Sequence, residues 1–308
     1  MTVLFFGSSG FSVPALHALR SSISRVVTKK TKPQGRGYVL GENEVGRAAF
    51  SLGLPVREIG SFRDEEARAL ADPVPDLLVV VSFGLIIPKW FLDTARVGAI
   101  NVHPSLLPKY RGPSPLQWVI WNGEKETGIT VIRMSERMDA GDILYRERIP
   151  LDREEDGATL SRRLSLRVPE ILPSIVEEVG NHGFEHAVPQ EEQEATYTPI
   201  ITKEMGRIDW QRGAAEIVRH ARAVVVWPTA YTILEGKMLK VFKLREIPHG
   251  NGQKADYGTI LALYADGIEV AAGEGSLILE EVQMENRKRM AASDFVRGYR
   301  QIIGKRLV

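Results

Sequence analysis

The run Leu77–Ser82, reading Leu-Leu-Val-Val-Val-Ser, constrains the fold of this chain more than any other stretch. A strand with one wet face alternates apolar and polar side chains, so an unbroken apolar run implies a strand buried on both faces. Comparable runs lie at Thr2–Phe6, Arg25–Thr28 and Gly98–Val102, separated by helical stretches around Val45–Leu52 and Glu65–Leu70. Such strands alternating with helices predict an α/β domain with a Rossmann-like, mostly parallel sheet. The first run ends in Gly7-Ser8-Ser9-Gly10 and passes into a helical pattern over Val13, Leu16 and Leu19. That turn lacks the second and third glycines of G-x-G-x-x-G, so it reads as a strand-to-helix connection, not a dinucleotide fingerprint.

Gly128–Met134 and Ile143–Ile149 read as two further strands joined through the turn Asp139-Ala140-Gly141-Asp142, and Leu160–Val179 as a long amphipathic helix. The polar, Glu-rich segment Gln190–Thr202, punctuated by Pro199, is the expected linker. Beyond it the texture changes to short, closely spaced runs at Thr229–Leu234, Met238–Glu246, Gly258–Tyr264, Gly267–Ala272 and Ser276–Val282. Turn glycines between such runs predict a small antiparallel β-barrel of the oligonucleotide-binding (OB) type. The expected organisation is therefore a domain over 1–189, a linker over 190–205 and a barrel over 206–308.

With 308 residues, 44% of them hydrophobic, the chain can build either one large core or two ordinary ones. The absence of cysteine excludes disulfides, thiolate metal sites and a cysteine nucleophile, and fits a reducing, cytoplasmic setting. The apolar start lacks a basic leader and a cleavage signature, and reads as a first buried strand. No apolar run approaches the roughly 18 residues of a membrane span, so no membrane partner is expected. From Arg207 onward there are 16 Lys and Arg against 12 Asp and Glu, which makes the last third mildly basic.

The most informative stretch for chemistry is Asn101-Val102-His103-Pro104-Ser105-Leu106-Leu107-Pro108-Lys109-Tyr110-Arg111-Gly112-Pro113. Asn101 and His103 close a buried strand and, being two apart, share one face. Pro104 cannot donate a ladder hydrogen bond and ends the strand. An amide and an imidazole thus stand together where ligands bind in open α/β sheets, beyond the carboxyl ends of the strands.

This signature, N-x-H-P-S-L-L-P-x-x-R-G, resembles that of the folate-dependent formyltransferases, and the likeness extends over nearly the whole chain. The resemblance implies the formyltransferase fold and an aspartate in a loop after the next strand. Met138-Asp139-Ala140-Gly141-Asp142 occupies that place and makes Asp139 the match, with Asp142 a turn or cap residue. The implied reaction is direct attack of an amine on the formyl carbon of 10-formyltetrahydrofolate. Asn101 would donate an amide hydrogen to the developing oxyanion. His103 would donate to the same oxygen and shuttle a proton between attacking and leaving nitrogens, while Asp139 holds the imidazole in one orientation. No metal and no covalent enzyme intermediate are expected. Ser82, Phe83, Gly84, Leu85 and Ile86 would line the pterin pocket, and Ser105, Leu106, Leu107 and Pro108 a second wall. Taken singly, either segment reads as core packing.

The resemblance further implies that the acceptor amine is carried by initiator methionyl-tRNA. Lys32 and Arg36 lie in the basic, glycine-bearing loop Lys29–Gly37, similar to one that reaches the acceptor stem in such enzymes. Arg287, Lys288 and Arg289 form a basic edge on the expected barrel, and a monomer is expected. A nucleotide-linked amino sugar is the alternative acceptor, and the Gly35-Arg36-Gly37 loop and basic tail weigh against it. The hundred or so residues beyond 200 weigh against a purine-pathway formyltransferase. The broken glycine fingerprint weighs against an oxidoreductase, and the polar trio against a non-catalytic RNA-binding protein.

Overall fold

The computed structural model describes residues 1–30, 33–34, 39–40, 43–63, 65–247, 255–299 and 301–308. They divide into two units. Met1–Pro115, Lys125–Leu151 and Leu160–Pro199 form the first; Leu116–Glu124, Asp152–Thr159 and Ile200–Val308 form the second. The segment expected as a linker is thus split, its residues 190–199 belonging to the first unit. Two excursions of the chain, 116–124 and 152–159, join the second.

In the first unit the chain runs through β1 (Val3–Gly7), α1 (Val13–Ala18), β2 (Ile23–Lys29), and the short pair β3 (Pro33–Gln34) and β4 (Val39–Leu40). It continues through α2 (Glu44–Ser51), β5 (Val56–Ile59), α3 (Glu65–Arg68), β6 (Leu77–Val81), α4 (Lys89–Leu92) and β7 (Gly98–His103). After α5 (Pro115–Trp121), which belongs to the second unit from Leu116 on, come β8 (Glu126–Arg133), β9 (Ile143–Pro150) and α6 (Gly157–His182), whose start to Thr159 also belongs to the second unit. Seven strands form one sheet in the order β5-β2-β1-β6-β7-β8-β9. Pairing is parallel from β5 to β7 and antiparallel at β7–β8 and β8–β9. The mostly parallel sheet expected from the apolar runs is therefore present, and every residue of β1 and β6 is buried. The edge strand β5 was not legible: its middle residues Arg57 and Glu58 face solvent and break the apolar pattern.

Strand order reverses at β1, so the loops after β1 and β6 part at a topological switch point. They are tied together there. Ser8 N–H donates to the Ser82 carbonyl at 3.1 Å, and the Ser9 and Ser82 hydroxyls lie 2.7 Å apart. The turn after β1 thus joins strand to helix and is fastened to the loop after β6. Phe83 anchors the second loop by burying its ring against Phe6, edge-on at 5.1 Å between centroids. Burying such a ring contributes about 2 kcal/mol, which fixes where this loop leaves the sheet.

The second unit holds α7 (Ala214–Ala223), β10 (Ala230–Leu234), β11 (Lys237–Ile247), β12 (Ile260–Tyr264), β13 (Gly267–Ala271), β14 (Ser276–Met284), β15 (Met290–Ala291) and α8 (Ala292–Gly298). Its sheet is antiparallel in the order β10-β11-β14-β13-β12, with β15 beside β14. The named strands stop short of a closed barrel, and the chain end fills the gap. Ile233 of β10 and Val308 exchange N–H···O bonds of 2.7 and 3.1 Å. Ile260 of β12 donates to Lys305 at 2.9 Å, and Leu307 donates to Gly258 at 2.8 Å. Both edge strands are thereby covered by the tail. The helix α7 sets Glu216, Arg219 and Arg222 on one face and the buried Ile217, Val218 and Ala221 on another, but this amphipathic period runs over only 10 residues and does not stand out in the sequence.

Candidate active site

Asn101 and His103 occupy the last turns of the pleat in β7, opposite Val80 of β6 and Thr130 of β8 respectively. Their shared face receives a third group from the β8–β9 loop. That loop leaves β8 beside Ala99, where Met134 N–H donates to the Ala99 carbonyl at 2.8 Å, and it brings Asp139 back over β7. Asn101 Nδ2 donates to Asp139 Oδ1 at 3.4 Å, and His103 Nδ1 lies 3.6 Å from Asp139 Oδ2. The His103 side chain is 5% exposed and that of Asp139 15%. The amide, imidazole and carboxylate expected from the sequence are therefore brought together.

Two backbone groups complete the arrangement, and sequence reading did not assign either. Gly112 N–H donates to Asp139 Oδ2 at 2.8 Å. His103 Nε2 lies 2.9 Å from the Tyr110 carbonyl. A carbonyl only accepts, so Nε2 carries the hydrogen and Nδ1 is the ring atom turned toward the carboxylate. Of the six non-glycine residues with positive φ among the described residues, Ser82 (48°), Tyr110 (62°) and Asp139 (50°) all sit here. Backbone strain of this kind persists only where surrounding contacts over-determine it, and it gathers at functional sites.

The contacts at Tyr110 and Asp139 include several from the stretch expected as a linker. Arg111 N–H donates to Thr196 O at 2.8 Å and Thr198 N–H to Arg111 O at 2.7 Å, while Tyr110 N–H donates to Thr196 Oγ1 at 2.8 Å. Arg111 itself is fully buried. Its guanidinium donates to Gln190 Oε1 at 3.0 and 3.2 Å, to the Glu192 carboxylate at 3.1 Å and to the Tyr197 hydroxyl at 3.0 Å. The Arg111 guanidinium, followed by that of Arg137, holds the Glu192 carboxyl below the usual carboxylate range. No local signal marks these partners, because they face one another only after residues some eighty positions apart are folded together.

The remaining expected site residues divide. Ser82, Gly84 and Ile86 are exposed in the loop beside the end of β7, whereas Phe83 is buried and offers only its backbone. Leu85 is half-buried. In the second stretch Ser105, Leu107 and Pro108 are buried and only Leu106 is partly open. Ser105 Oγ donates to Lys109 O at 2.8 Å, and Leu107 N–H donates to Thr130 Oγ1 at 3.2 Å, so this segment is knitted into the sheet. Lys32 and Arg36 lie outside the described residues. Arg287 and Lys288 are exposed beyond β14. Arg289 is held by Glu281 at 2.5 and 2.6 Å and lies over the Phe242 ring. Asp142 stands just before β9, its carbonyl accepting Arg133 N–H at 2.9 Å. Among the described residues, no group of three or more His, Asp or Glu is placed to hold a metal ion, and no helix is long and apolar enough to cross a membrane.

Gly112 admits a direct test of this geometry. It has φ 111°, and a Cβ there would meet Thr198 O at 2.6 Å and Thr198 Oγ1 at 2.9 Å. Gly112→Ala is expected to displace the N–H from Asp139, cutting turnover at least 10-fold and stability by about 2 kcal/mol. Steady-state rates and urea unfolding of the variant check both effects.

A mostly parallel sheet that gathers an amide and an imidazole from the end of β7 with a carboxylate from a loop folded back over that strand is suited to group transfer at a carbonyl, where charge must be held and a proton moved. Comparison with known proteins narrows that class. The family model described as "Formyl transferase" matches residues 1–176, and "Formyl transferase, C-terminal domain" matches residues 200–300. The methionyl-tRNA formyltransferase of Alkaliphilus oremlandii is 38% identical over 309 residues, covering 97% of this chain and 96% of its own. That of Citrifermentans bemidjiense is 40% identical, covering 97% and 94%. Among solved structures, HypX from Aquifex aeolicus in complex with tetrahydrofolic acid matches with a TM-score of 0.66 at 19% identity, over 98% of this chain but 48% of HypX. The chain spans about half the length of HypX, and that likeness speaks for the fold alone. The chain belongs to the formyl transferase family.

Proposed function

We propose that this enzyme transfers the formyl group of 10-formyltetrahydrofolate to the free amino group of initiator methionyl-tRNA, acting as a cytoplasmic monomer. The convergence of Asn101, His103 and Asp139 on one face of β7 carries the reading. The near full-length likeness to methionyl-tRNA formyltransferases supports the choice of acceptor.

The acceptor nitrogen attacks the formyl carbon and forms the new C–N bond while negative charge gathers on the formyl oxygen. Asn101 Nδ2 spends one hydrogen on Asp139 and has a second for that oxygen; a comparable donor contributes about 3 kcal/mol to such a step. His103 is oriented by the Tyr110 carbonyl so that Nδ1, with the carboxylate of Asp139 beside it, accepts the proton leaving the attacking nitrogen. The pair returns that proton to the folate nitrogen as its bond to the formyl carbon breaks, so the enzyme ends unchanged. Ser82, Gly84, Leu85 and Ile86 bind the pterin with the backbone of Phe83, which suits a flat heteroaromatic ring. The buried segment Ser105–Pro108 supports the site from behind.

The second unit, starting near residue 200, is the tRNA-binding module in this reading. Arg287 and Lys288 reach the phosphate backbone, and Lys32 and Arg36 the acceptor stem. Arg289, committed to Glu281 and Phe242, contributes less. The decisive experiment offers the enzyme 10-formyltetrahydrofolate with either charged initiator tRNA or a nucleotide-linked amino sugar. Formylation of the tRNA is expected. Transfer to the sugar with none to the tRNA would overturn the acceptor assignment and leave the chemistry standing.

A further inference from the structure

We infer that Gln190 is a positioning residue for Asp139, and that the stretch 190–198 braces the catalytic group from behind. The inference rests on the role given to Asp139 above. Both amide hydrogens of Gln190 are used on the catalytic loop: Nε2 donates to the Asp139 carbonyl at 2.8 Å and to the Gly141 carbonyl at 2.7 Å. Its Oε1 accepts from Arg111 Nε and Nη2 at 3.2 and 3.0 Å. One side chain therefore clamps the strained backbone of Asp139 (φ 50°) to a fully buried arginine.

The chemistry of the position selects an amide. Two carbonyl oxygens face it from one side and a guanidinium from the other, so it must donate twice and accept twice. A glutamate would satisfy Arg111 but set its oxygens against two carbonyl oxygens. A lysine would satisfy the carbonyls and repel Arg111. Arg111 also passes the constraint on along its own backbone. Its bridge to Tyr197 orders the stretch that offers the Tyr110 carbonyl to His103 and Gly112 N–H to Asp139. The brace thus holds the carboxylate at both ends, through its own main chain and through the group that donates to it. Residues that lock a catalytic group in this way act on the rate, because misplacing a reacting group by about 1 Å costs roughly 10²-fold.

The test uses Gln190→Glu and Gln190→Ala in the full-length enzyme, with formyl transfer to charged initiator tRNA as the readout. The turnover number is expected to fall roughly 10- to 100-fold in both, with KM for folate and for tRNA within about two-fold of the parent. In an Asp139→Ala background the same changes are expected to add nothing, since the residue acts through that carboxylate. Near-parental turnover in both variants, beside a crippled Asp139→Ala enzyme, would overturn the positioning role and leave the role of Asp139 intact. Losses that multiply in the double variants would overturn it too, as would parallel losses of rate, KM and melting temperature, or failure of both variants to fold, which mark a purely structural residue. An Asp139→Ala enzyme with near-parental turnover would instead defeat the reading on which the inference rests.

Discussion

Replacing Asp139 with alanine is expected to lower the turnover number about 10³-fold while leaving folate binding nearly unchanged. The carboxylate is the point on which the other groups meet. It accepts Gly112 N–H at 2.8 Å and Asn101 Nδ2 at 3.4 Å, and it stands 3.6 Å from His103 Nδ1. Truncation frees the Asn101 amide to turn away from the formyl oxygen and removes the charge that faces the imidazole. The loop at Ser82–Ile86 is anchored separately, through Phe83 and the hydroxyl of Ser82, so the pterin contacts should survive. Asp139→Asn separates charge from shape. It can still accept from Gly112, so a loss between those of the parent and Asp139→Ala is expected. Single-turnover formyl transfer with folate binding measured by calorimetry distinguishes these outcomes. A rate within about ten-fold of the parent in Asp139→Ala would refute the role assigned to the carboxylate.

The largest effect on stability is expected at Arg111, where alanine should lower the unfolding free energy of the first unit by about 3 kcal/mol. Its guanidinium is fully buried and donates to Gln190, Glu192 and Tyr197. Truncation empties the space of a large side chain and leaves Gln190 Oε1 without its donors. Removing one partner of a fully buried pair costs about 3–5 kcal/mol. Here the Glu192 side chain is 52% exposed and can turn to water, which argues for the lower end. The effect should depend on pH with a definite sign. Arg111 and Arg137 hold the Glu192 carboxyl below its ordinary range. A depressed carboxyl stabilises the fold above its unfolded value, about 4.3, and loses that contribution as pH falls through the folded value. The stability gap between parent and Arg111→Ala is therefore expected to be constant between about pH 6 and 8 and to narrow below about pH 4. Urea unfolding across that range measures it. A gap that stays constant into acid would remove Glu192 from the account.

Much of the first unit was legible because burial on both faces leaves a local trace. The all-apolar β1 and β6 could be read directly, and β7 with them. The Asn-x-His spacing placed two side chains on one face by strand geometry alone. Asp139 was reached by resemblance, since an acid in a turn has no local feature that distinguishes it from a solvated one. The edge strand β5 was missed because exposed charges interrupt its short apolar pattern, and the helix α7 because its amphipathic period runs over only 10 residues. The segment 190–205 has the polar texture of a linker, and its residues 190–199 nevertheless belong to the first unit, since Gln190 and Glu192 are polar wherever they stand.

From its sequence alone this chain determined a mostly parallel β framework, the face of β7 that presents Asn101 and His103, and a second β-rich module. These follow from the period of apolar residues and from where a proline must end a strand, properties that neighbouring residues settle among themselves. Only the tertiary structure decided that a polar segment fifty positions beyond Asp139 would brace it, that Arg111 would be buried rather than exposed, and that residues 304–308 would cover the edges of β10 and β12. Polar groups are satisfied by whichever partner folding brings within hydrogen-bond reach, and that partner has no fixed distance along the chain.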